Sequence, residues 1–256
     1  MWVVQRKHVM KILGLDSSGL VAGVAVVENS VLLAEYTTNY KKTHSQTLLP
    51  MLDELRGMIE LDMSTLDAIA VASGPGSFTG LRIGSATAKG LGLALNKPLV
   101  EIPTLEGLAW NLWGSSRLVC PLMDARRNQV YAAAYRFLPQ GEGFLLEHVI
   151  PQSPVDVVEF VEKLNETGQE VSFLGDGVPV YLELIKEHIK IPYYLAPAGA
   201  NRQRAASIAA LGEIYFAQGK KVEAHAHKPE YMRMSQAERE QGALPEGEMT
   251  MISGEG

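Results

Sequence analysis

The stretch KILGLDSSG at residues 11–19 is a short apolar strand that runs into a turn of one aspartate, two serines and a glycine. Two further apolar runs follow at Val21–Val27 and Val31–Tyr36, and Glu28-Asn29-Ser30 between them is typical of a hairpin turn. The sequence therefore predicts a meander of three strands whose first turn carries Asp16.

The same pattern occurs a second time further along the chain. Leu118–Met123 is apolar, Asp124–Gln129 is a turn that begins with an aspartate, and Val130–Phe137 is a run of mostly apolar residues, several of them small. Aligning Asp16 with Asp124 separates the two units by 108 positions. A repeat of this kind predicts two copies of one supersecondary unit.

Helical patterns alternate with the predicted strands, which favours an α/β fold. Ser45, Thr104 and Ser153 stand where helix N-caps are expected, and Leu66–Ala72 and Val171–Leu174 are further strands. The predicted helices are His44–Ile59, Arg82–Leu95, a helix that starts at Thr104, Ser153–Leu164, Val178–Ile189 and Arg204–Gln218.

These patterns predict two subdomains with a boundary near Pro103–Ser116. Met10 stands directly before the first strand, and Ser235–Gly256 is rich in Glu, Gln and Gly with few large apolar residues. We expect an N-terminal extension at 1–9, a first subdomain at 10–103 that the helix at 204–218 joins, a second subdomain at 104–203, and an extended segment and mobile tail at 219–256.

The composition indicates a globular, cytoplasmic protein. Of its 256 residues, 46% are hydrophobic and 20% are charged, and no apolar run reaches the ~18 residues that a membrane span needs. A net charge of −6 argues against binding nucleic acid unaided, because that affinity comes mainly from Lys and Arg. Cys120, the single cysteine, stands in an apolar run where a buried thiol is expected.

A glycine-punctuated loop, SGPGSFTGLRIG at 73–84, leads from a predicted strand into a predicted helix. Backbone N–H groups at such a junction attract anions. However, no Lys-Ser or Lys-Thr follows the last glycine, and Gly74-Pro75-Gly76 does not match the dinucleotide fingerprint. A binding loop and a tight connector both remain open interpretations of this segment.

Small residues recur every four positions in the helix that follows, at Gly80, Gly84, Ala88 and Gly92. Glycine inside a helix costs ~1 kcal/mol relative to alanine, so the stripe indicates close backbone contact. The contact is made either with the helix's own sheet or with another chain. Because apolar side chains also occupy other faces of this helix, we predict that one face meets a second chain.

A duplicated strand–turn–strand unit with an aspartate in each first turn resembles the actin, Hsp70 and sugar-kinase superfamily. Five segments together closely resemble the TsaB (YeaZ) family, over a region from about residue 10 to about residue 237. These segments are Ile12–Ser18, His44–Pro50, Ser73–Gly84, Asp124–Arg127 with Val130-Tyr131, and Pro229–Arg233.

The resemblance implies an ASKHA (actin-like ATPase, ribonuclease H-like) fold of two related subdomains, each a mixed sheet with flanking helices. It also implies a noncatalytic scaffold and activating subunit of a bacterial complex. That complex places a threonylcarbamoyl group on the adenosine next to the anticodon of tRNAs reading codons that begin with A. In this family the active site belongs to the partner TsaD, and the ATPase TsaE joins the two.

The resemblance further implies a homodimer when the subunit is isolated, contact with tRNA only through the complex, and no membrane association. The helices of the dimer also meet TsaD in this family. The predicted partner interface comprises His44, Leu48, Phe78, Gly80, Gly84, Ala88, Gly92 and Leu95.

Nucleotide binding in this superfamily uses both turns. The first turn keeps a degenerate set of candidate cofactor-binding residues, Asp16, Ser17 and Ser18. The second turn contains no glycine, and its Arg126 and Arg127 suit either a phosphate or a salt-bridged or partner-facing surface. ATP or ADP with Mg is therefore expected, if anywhere, at the joint with TsaD.

Two other functions are weighed against the scaffold. A sugar-kinase-like phosphotransferase would use Asp16, but the glycine-poor second turn argues against it. A metallopeptidase would need a pair of metal ligands, and none of the six histidines is four residues from another, the spacing that puts two ligands on one helix face. We accordingly predict no catalytic residue and no metal ligand in this chain.

Overall fold

The computed structural model describes residues 9–40 and 43–232, and its first sheet has five strands. The first three form the predicted antiparallel meander, and two further strands join the first of them in parallel. The strands are β1 (Lys11–Asp16), β2 (Ala22–Glu28), β3 (Val31–Thr38), β4 (Ala68–Gly74) and β5 (Leu99–Pro103), in the order β3-β2-β1-β4-β5.

The second sheet repeats the first in strand order and direction. Its strands are β6 (Leu118–Asp124), β7 (Gln129–Gln140), β8 (Gly143–Asp156), β9 (Val171–Leu174) and β10 (Tyr193–Leu195), in the order β10-β9-β6-β7-β8. An antiparallel meander is again followed by two parallel strands. Asp16 and Asp124 are the last residues of equivalent strands, so the predicted duplication and the α/β fold class are confirmed.

Helices cover both faces of each sheet. The helices are α1 (His44–Met58), α2 (Phe78–Leu95), α3 (Thr104–Ala109), α4 (Val157–Thr167), α5 (Gly177–His188) and α6 (Ala205–Ala217). On the first sheet, α1 and α2 pack on the face of Leu13 and Leu15, and α6 packs on the face of Ile12. On the second sheet, α4 and α5 cover the face that contains the fully buried Cys120, and α3 lies on the opposite face.

Three predicted helix caps are corrected by the structure. Thr43, not Ser45, precedes α1, and Pro103, not Thr104, precedes α3. Strand β8 continues through Ser153 to Asp156, because this segment pairs with β7 as far as Gln129. The Asp156 carboxylate then accepts the Val158 N–H at 2.8 Å, which makes Asp156 the N-cap of α4.

The helix after the glycine loop begins earlier than predicted. It starts at Phe78 rather than Arg82, and the Ser77 hydroxyl accepts the Gly80 N–H at 3.3 Å. The second half of the glycine loop, residues 78–84, therefore forms about the first two turns of α2. This places Phe78 and Arg82 one turn apart on the helix.

The strands of the two sheets lie within residues 11–103 and 118–195, and α6 returns to the first sheet. The subdomain boundaries stay predictions at the level of single residues. The predicted extension at 1–9, apart from Val9, and the tail from residue 233 lie outside the described residues. Within the described part of the chain, no helix is both long and apolar enough to cross a bilayer.

Candidate functional site

The first turn is closed by its own hydrogen bonds. Asp16 is 2% exposed, and its Oδ1 accepts the backbone N–H of Ser18 at 2.8 Å and the Ser18 hydroxyl at 2.6 Å. Burial raises the pKa of the Asp16 carboxyl to about 6, although the two hydrogen bonds from Ser18 act in the opposite direction. The Oδ1 atom of Asp16 therefore stabilises the turn in which Asp16 lies.

The glycine loop packs directly on the first turn. The Ser17 hydroxyl donates to the Gly80 carbonyl at 2.8 Å, and the Ser77 N–H donates to the Ser18 carbonyl at 2.7 Å. A side chain at Gly76 or Gly80 would collide with the main-chain oxygens of these two serines. The glycines of this loop are explained by close contact with the first turn.

The opposite side of the first turn is covered by Gln203. This side chain is 1% exposed, and a Cβ on Gly19 would stand 2.5 Å from its Nε2. Neither polar atom of the Gln203 amide has a hydrogen-bond partner among the described residues. The Gly19 carbonyl lies 2.8 Å from His44 Nε2, so side chains from α1 and from the segment before α6 cover the glycine.

This packing does not fit a magnesium nucleotide at the first turn. Such a ligand needs a carboxylate that can reach a metal and backbone N–H groups that can close on phosphate. Asp16, Ser17 and Ser18 are instead buried and bonded within the chain. Among residues 9–40 and 43–232, no three His, Cys, Asp or Glu side chains are grouped as a metal site would require.

The second turn has a strained backbone and exposed arginines. Arg126, Arg127 and Asn128 have φ of 63°, 58° and 58°, a left-handed conformation that costs roughly 1–2 kcal/mol per non-glycine residue. Asp124 holds the turn, since its Oδ1 accepts the Arg126 N–H at 2.7 Å and the Tyr181 hydroxyl at 2.9 Å. Neither guanidinium has a carboxylate partner in the described part of the chain.

The loop after β9 also packs against β6, the strand that leads into the second turn. Asp176 Oδ1 accepts the Asp124 N–H at 3.2 Å, and burial raises the pKa of Asp176. Gly175 has φ of 109° and leaves no room for a side chain beside Leu122. Arg202 donates to the Gly175 carbonyl at 3.1 Å, so this loop is fixed by the segment that leads into α6.

The small-residue stripe of α2 faces the chain itself. A Cβ on Gly84 would stand 2.6 Å from Ser17 Oγ, and one on Gly92 would stand 2.8 Å from Ala224 Cβ. Ala88 is fully buried, and Gly80 lies on Ser17. The predicted close contact is present, but it is intramolecular, which corrects the assignment of these four residues to a partner interface.

The other four predicted interface residues differ in their exposure. Leu48 is 1% exposed within the core of the first subdomain, so its assignment to an interface is also corrected. His44 is half-buried and bonded to the Gly19 carbonyl. Phe78 and Leu95 are half-buried at the two ends of α2, where a partner can still reach them.

The exposed side of α2 carries a second row of small residues. A Cβ on Gly90 would have no atom of another part of the described chain within 4 Å, and Leu93 is 63% exposed. Ala86 and Ala94 lie four residues before and after Gly90 and are exposed as well. Sequence reasoning missed this row, although its spacing of four is the same signal as that of the buried stripe.

Asp16→Asn is expected to stabilise the protein at neutral pH. The unfolded carboxyl ionises near pH 3.8, whereas the folded one stays protonated up to about pH 6. The unfolded state therefore binds fewer protons in this window, and the stability of the wild type falls as pH rises through it. Asparagine keeps an oxygen for both Ser18 hydrogen bonds without carrying a charge.

Urea unfolding measures this effect as a free energy. Above about pH 7 the variant is expected to be about 3 kcal/mol more stable than the wild type, and below about pH 4 the two should agree. Equal free energies of unfolding for the wild type and Asp16→Asn at every pH would contradict the raised pKa of the buried Asp16 carboxyl.

Comparison with known proteins identifies the family. A family model described as TsaD: tRNA N6-adenosine threonylcarbamoyltransferase matches residues 31–241. The tRNA threonylcarbamoyladenosine biosynthesis protein TsaB of Bacillus subtilis is 33% identical over 229 residues, which are 90% of this chain and 96% of that protein. The TsaB protein of Escherichia coli is 28% identical over 232 residues, 88% of this chain and 95% of that protein.

Solved structures agree with the sequence comparison. YeaZ from Pseudomonas aeruginosa superposes with a TM-score of 0.70 at 26% identity and covers 87% of this chain and 99% of its own. A second Pseudomonas aeruginosa structure, described as similar to peptidase YEAZ, gives 0.73 at 26% identity, over 88% of this chain and all of its own. The chain belongs to the TsaB (YeaZ) family of tRNA threonylcarbamoyladenosine biosynthesis proteins.

Proposed function

We propose that this chain is the noncatalytic scaffold and activating subunit of the complex that forms threonylcarbamoyladenosine in tRNA, in the cytoplasm. TsaD carries the active site in this proposal, and TsaE joins the two. The names of the relatives in Bacillus subtilis and Escherichia coli support the pathway. The first turn, whose carboxylate and hydroxyls are bonded within the chain, is the observation that carries the noncatalytic role.

The exposed side of α2 is the surface we propose for TsaD. It presents small and apolar residues, chiefly Ala86, Gly90 and Leu93, which let another helix approach closely. A glycine exposed within a helix costs ~1 kcal/mol, and packing within residues 9–40 and 43–232 gives no reason for Gly90. The same surface would serve the homodimer of the isolated subunit, so TsaD and a second copy would compete for it.

The second turn supports a joint with a partner. Arg126 and Arg127 are exposed on a strained backbone and have no carboxylate partner among the described residues, so they suit an acidic protein surface, and arginine is favoured at interfaces. ATP or ADP with Mg at that joint remains the alternative ligand of the two arginines. Contact with tRNA would then be made through the assembled complex.

Depletion of the chain in its own organism tests the proposed pathway. Mass spectrometry of tRNA nucleosides is expected to show that threonylcarbamoyladenosine falls as the protein is lost and returns when the gene is restored. An unchanged level of the modified nucleoside after depletion would contradict the proposal.

The phosphotransferase alternative is tested separately by calorimetry of the purified chain with millimolar magnesium ATP. Hydrogen bonds within the chain already engage Asp16, Ser17 and Ser18, so we expect no saturable binding of magnesium ATP. Saturable binding that Asp16→Ala abolishes would overturn the noncatalytic role.

A further inference from the structure

A segment near the C-terminus lies along α2 and ends beside the surface proposed for TsaD. We call residues 222–231 the strap. It begins as a single antiparallel bridge, in which the Leu99 N–H donates to the Val222 carbonyl at 2.9 Å at the free edge of β5. Ala224 then packs on Gly92 of α2. The strap includes most of Pro229–Arg233, a motif to which the proposed function assigns no role.

Buried contacts hold the middle of the strap. His227 is 1% exposed, and its Nδ1 lies 2.6 Å from Glu101 Oε1 on β5. Lys89 of α2 donates to the His227 carbonyl at 3.1 Å. The strap is thereby tied to both the sheet and the helix.

The end of the strap is held by the glycine loop. The Glu230 N–H donates to the Ser73 carbonyl at 2.7 Å, and the Glu230 carbonyl packs on Gly74, where a Cβ would not fit. These contacts place the Tyr231 ring 4.8 Å from the Phe78 ring, at the first turn of α2. Tyr231 nevertheless stays 41% exposed.

Arg82 contacts both aromatic side chains. Its guanidinium carbon lies 3.9 Å from the Phe78 ring centroid, and its Nε lies 3.4 Å from the Tyr231 hydroxyl. Arg82 is exposed and has no carboxylate partner among the residues that the structure describes. It is also four residues from Ala86 and eight from Gly90, on the same side of α2.

We propose that Phe78, Arg82 and Tyr231 form the charged end of the TsaD-binding surface, where Arg82 binds an acidic group of TsaD. The strap positions this cluster, and the inference rests on the proposed function. An arginine already oriented by stacking loses little conformational freedom when it pairs, which is typical of residues that contribute strongly to binding. In a symmetric dimer that packs α2 against α2, a second copy is the weaker occupant, because Phe78–Leu95 contains no Asp or Glu to pair with Arg82.

Calorimetry with purified TsaD from the same organism tests the cluster. Arg82→Ala is expected to weaken binding about tenfold and to flatten its salt dependence, and Tyr231→Ala to weaken it about fivefold. Arg82→Lys keeps the charge but not the planar stacking, so it should fall between the wild type and Arg82→Ala. Melting temperatures should stay at the wild-type value, because both side chains are exposed.

Tyr194→Ala is the matched control. Tyr194 is 43% exposed, and Arg117 stacks on its ring at 3.8 Å, but it lies on β10 at the edge of the second sheet. This variant should bind TsaD as the wild type does. If the wild type itself does not bind TsaD, the proposed function fails.

If the wild type binds but Arg82→Ala and Tyr231→Ala bind equally well, the cluster assignment alone is overturned. The same conclusion follows if Tyr194→Ala loses as much affinity, or if Arg82→Ala weakens only self-association.

Discussion

Gly90→Arg is expected to abolish measurable binding to TsaD without lowering the melting temperature of the chain. A Cβ at Gly90 meets no other part of the described chain, so the folded monomer accommodates a long side chain. At the centre of the proposed surface, however, the same side chain holds two helices apart. We expect an affinity loss of about a hundredfold or more, measured by calorimetry.

Two controls sharpen this result. Gly199→Arg adds the same charge at an exposed glycine near the start of α6, where a Cβ is equally unobstructed, and it should bind normally. Gly90→Ala should stabilise the chain by about 0.5–1 kcal/mol, because alanine favours the helix. Normal TsaD binding by Gly90→Arg would remove the exposed side of α2 from the interface.

Gly80→Leu is expected to prevent stable folding. The glycine lies against the main chain of Ser17, and neither the first strand nor α2 can move away without breaking the core of the first subdomain. Overpacking against backbone costs about 3 kcal/mol or more, a large part of the stability of an ordinary domain. Thermal unfolding followed by circular dichroism, together with the soluble yield, measures the effect.

Gly57→Leu provides the comparison for this variant. Gly57 is also a helical glycine, in the last turn of α1, but a Cβ there has open space. Its melting temperature should stay within a few degrees of the wild type, since exposed substitutions usually change stability by less than about 0.5 kcal/mol. A Gly80→Leu protein that melts like the wild type would show that the glycine loop does not pack on the first turn.

The duplicated architecture could be predicted from the sequence because strand and turn signals are local. Asp16 and Asp124 both follow short apolar runs, and each is followed by a turn and a second apolar run. The structure places both residues at the ends of equivalent strands. Local patterns of this kind survive in any tertiary context that buries the apolar residues.

The direction in which α2 presents its small residues could not be predicted. Gly84 and Gly90 have the same local signal, yet one lies against Ser17 and the other faces open space. Only the docking of the glycine loop on the first turn decides between them, and that contact joins residues more than sixty positions apart. Gly19 and Gln203, which covers it, are still further apart in the sequence, and no rule based on residue spacing predicts their contact.

The predictions of the helix caps were wrong for a different reason. Ser153 and Asp156 both suit an N-cap, and the choice depends on how far β8 pairs with β7. Tertiary pairing of strands overrode a local preference at this position.

The most direct test of the central claim is a rescue experiment in the depleted strain, read out as threonylcarbamoyladenosine in tRNA by mass spectrometry. Wild type and Asp16→Asn are expected to restore the modified nucleoside equally, because the first turn has no chemical role. Gly90→Arg, although folded, is expected not to restore it. A stable Asp16→Asn protein that binds TsaD but fails to restore the nucleoside would show that the first turn takes part in the chemistry, and full rescue by Gly90→Arg would show that the exposed side of α2 is not needed for the complex.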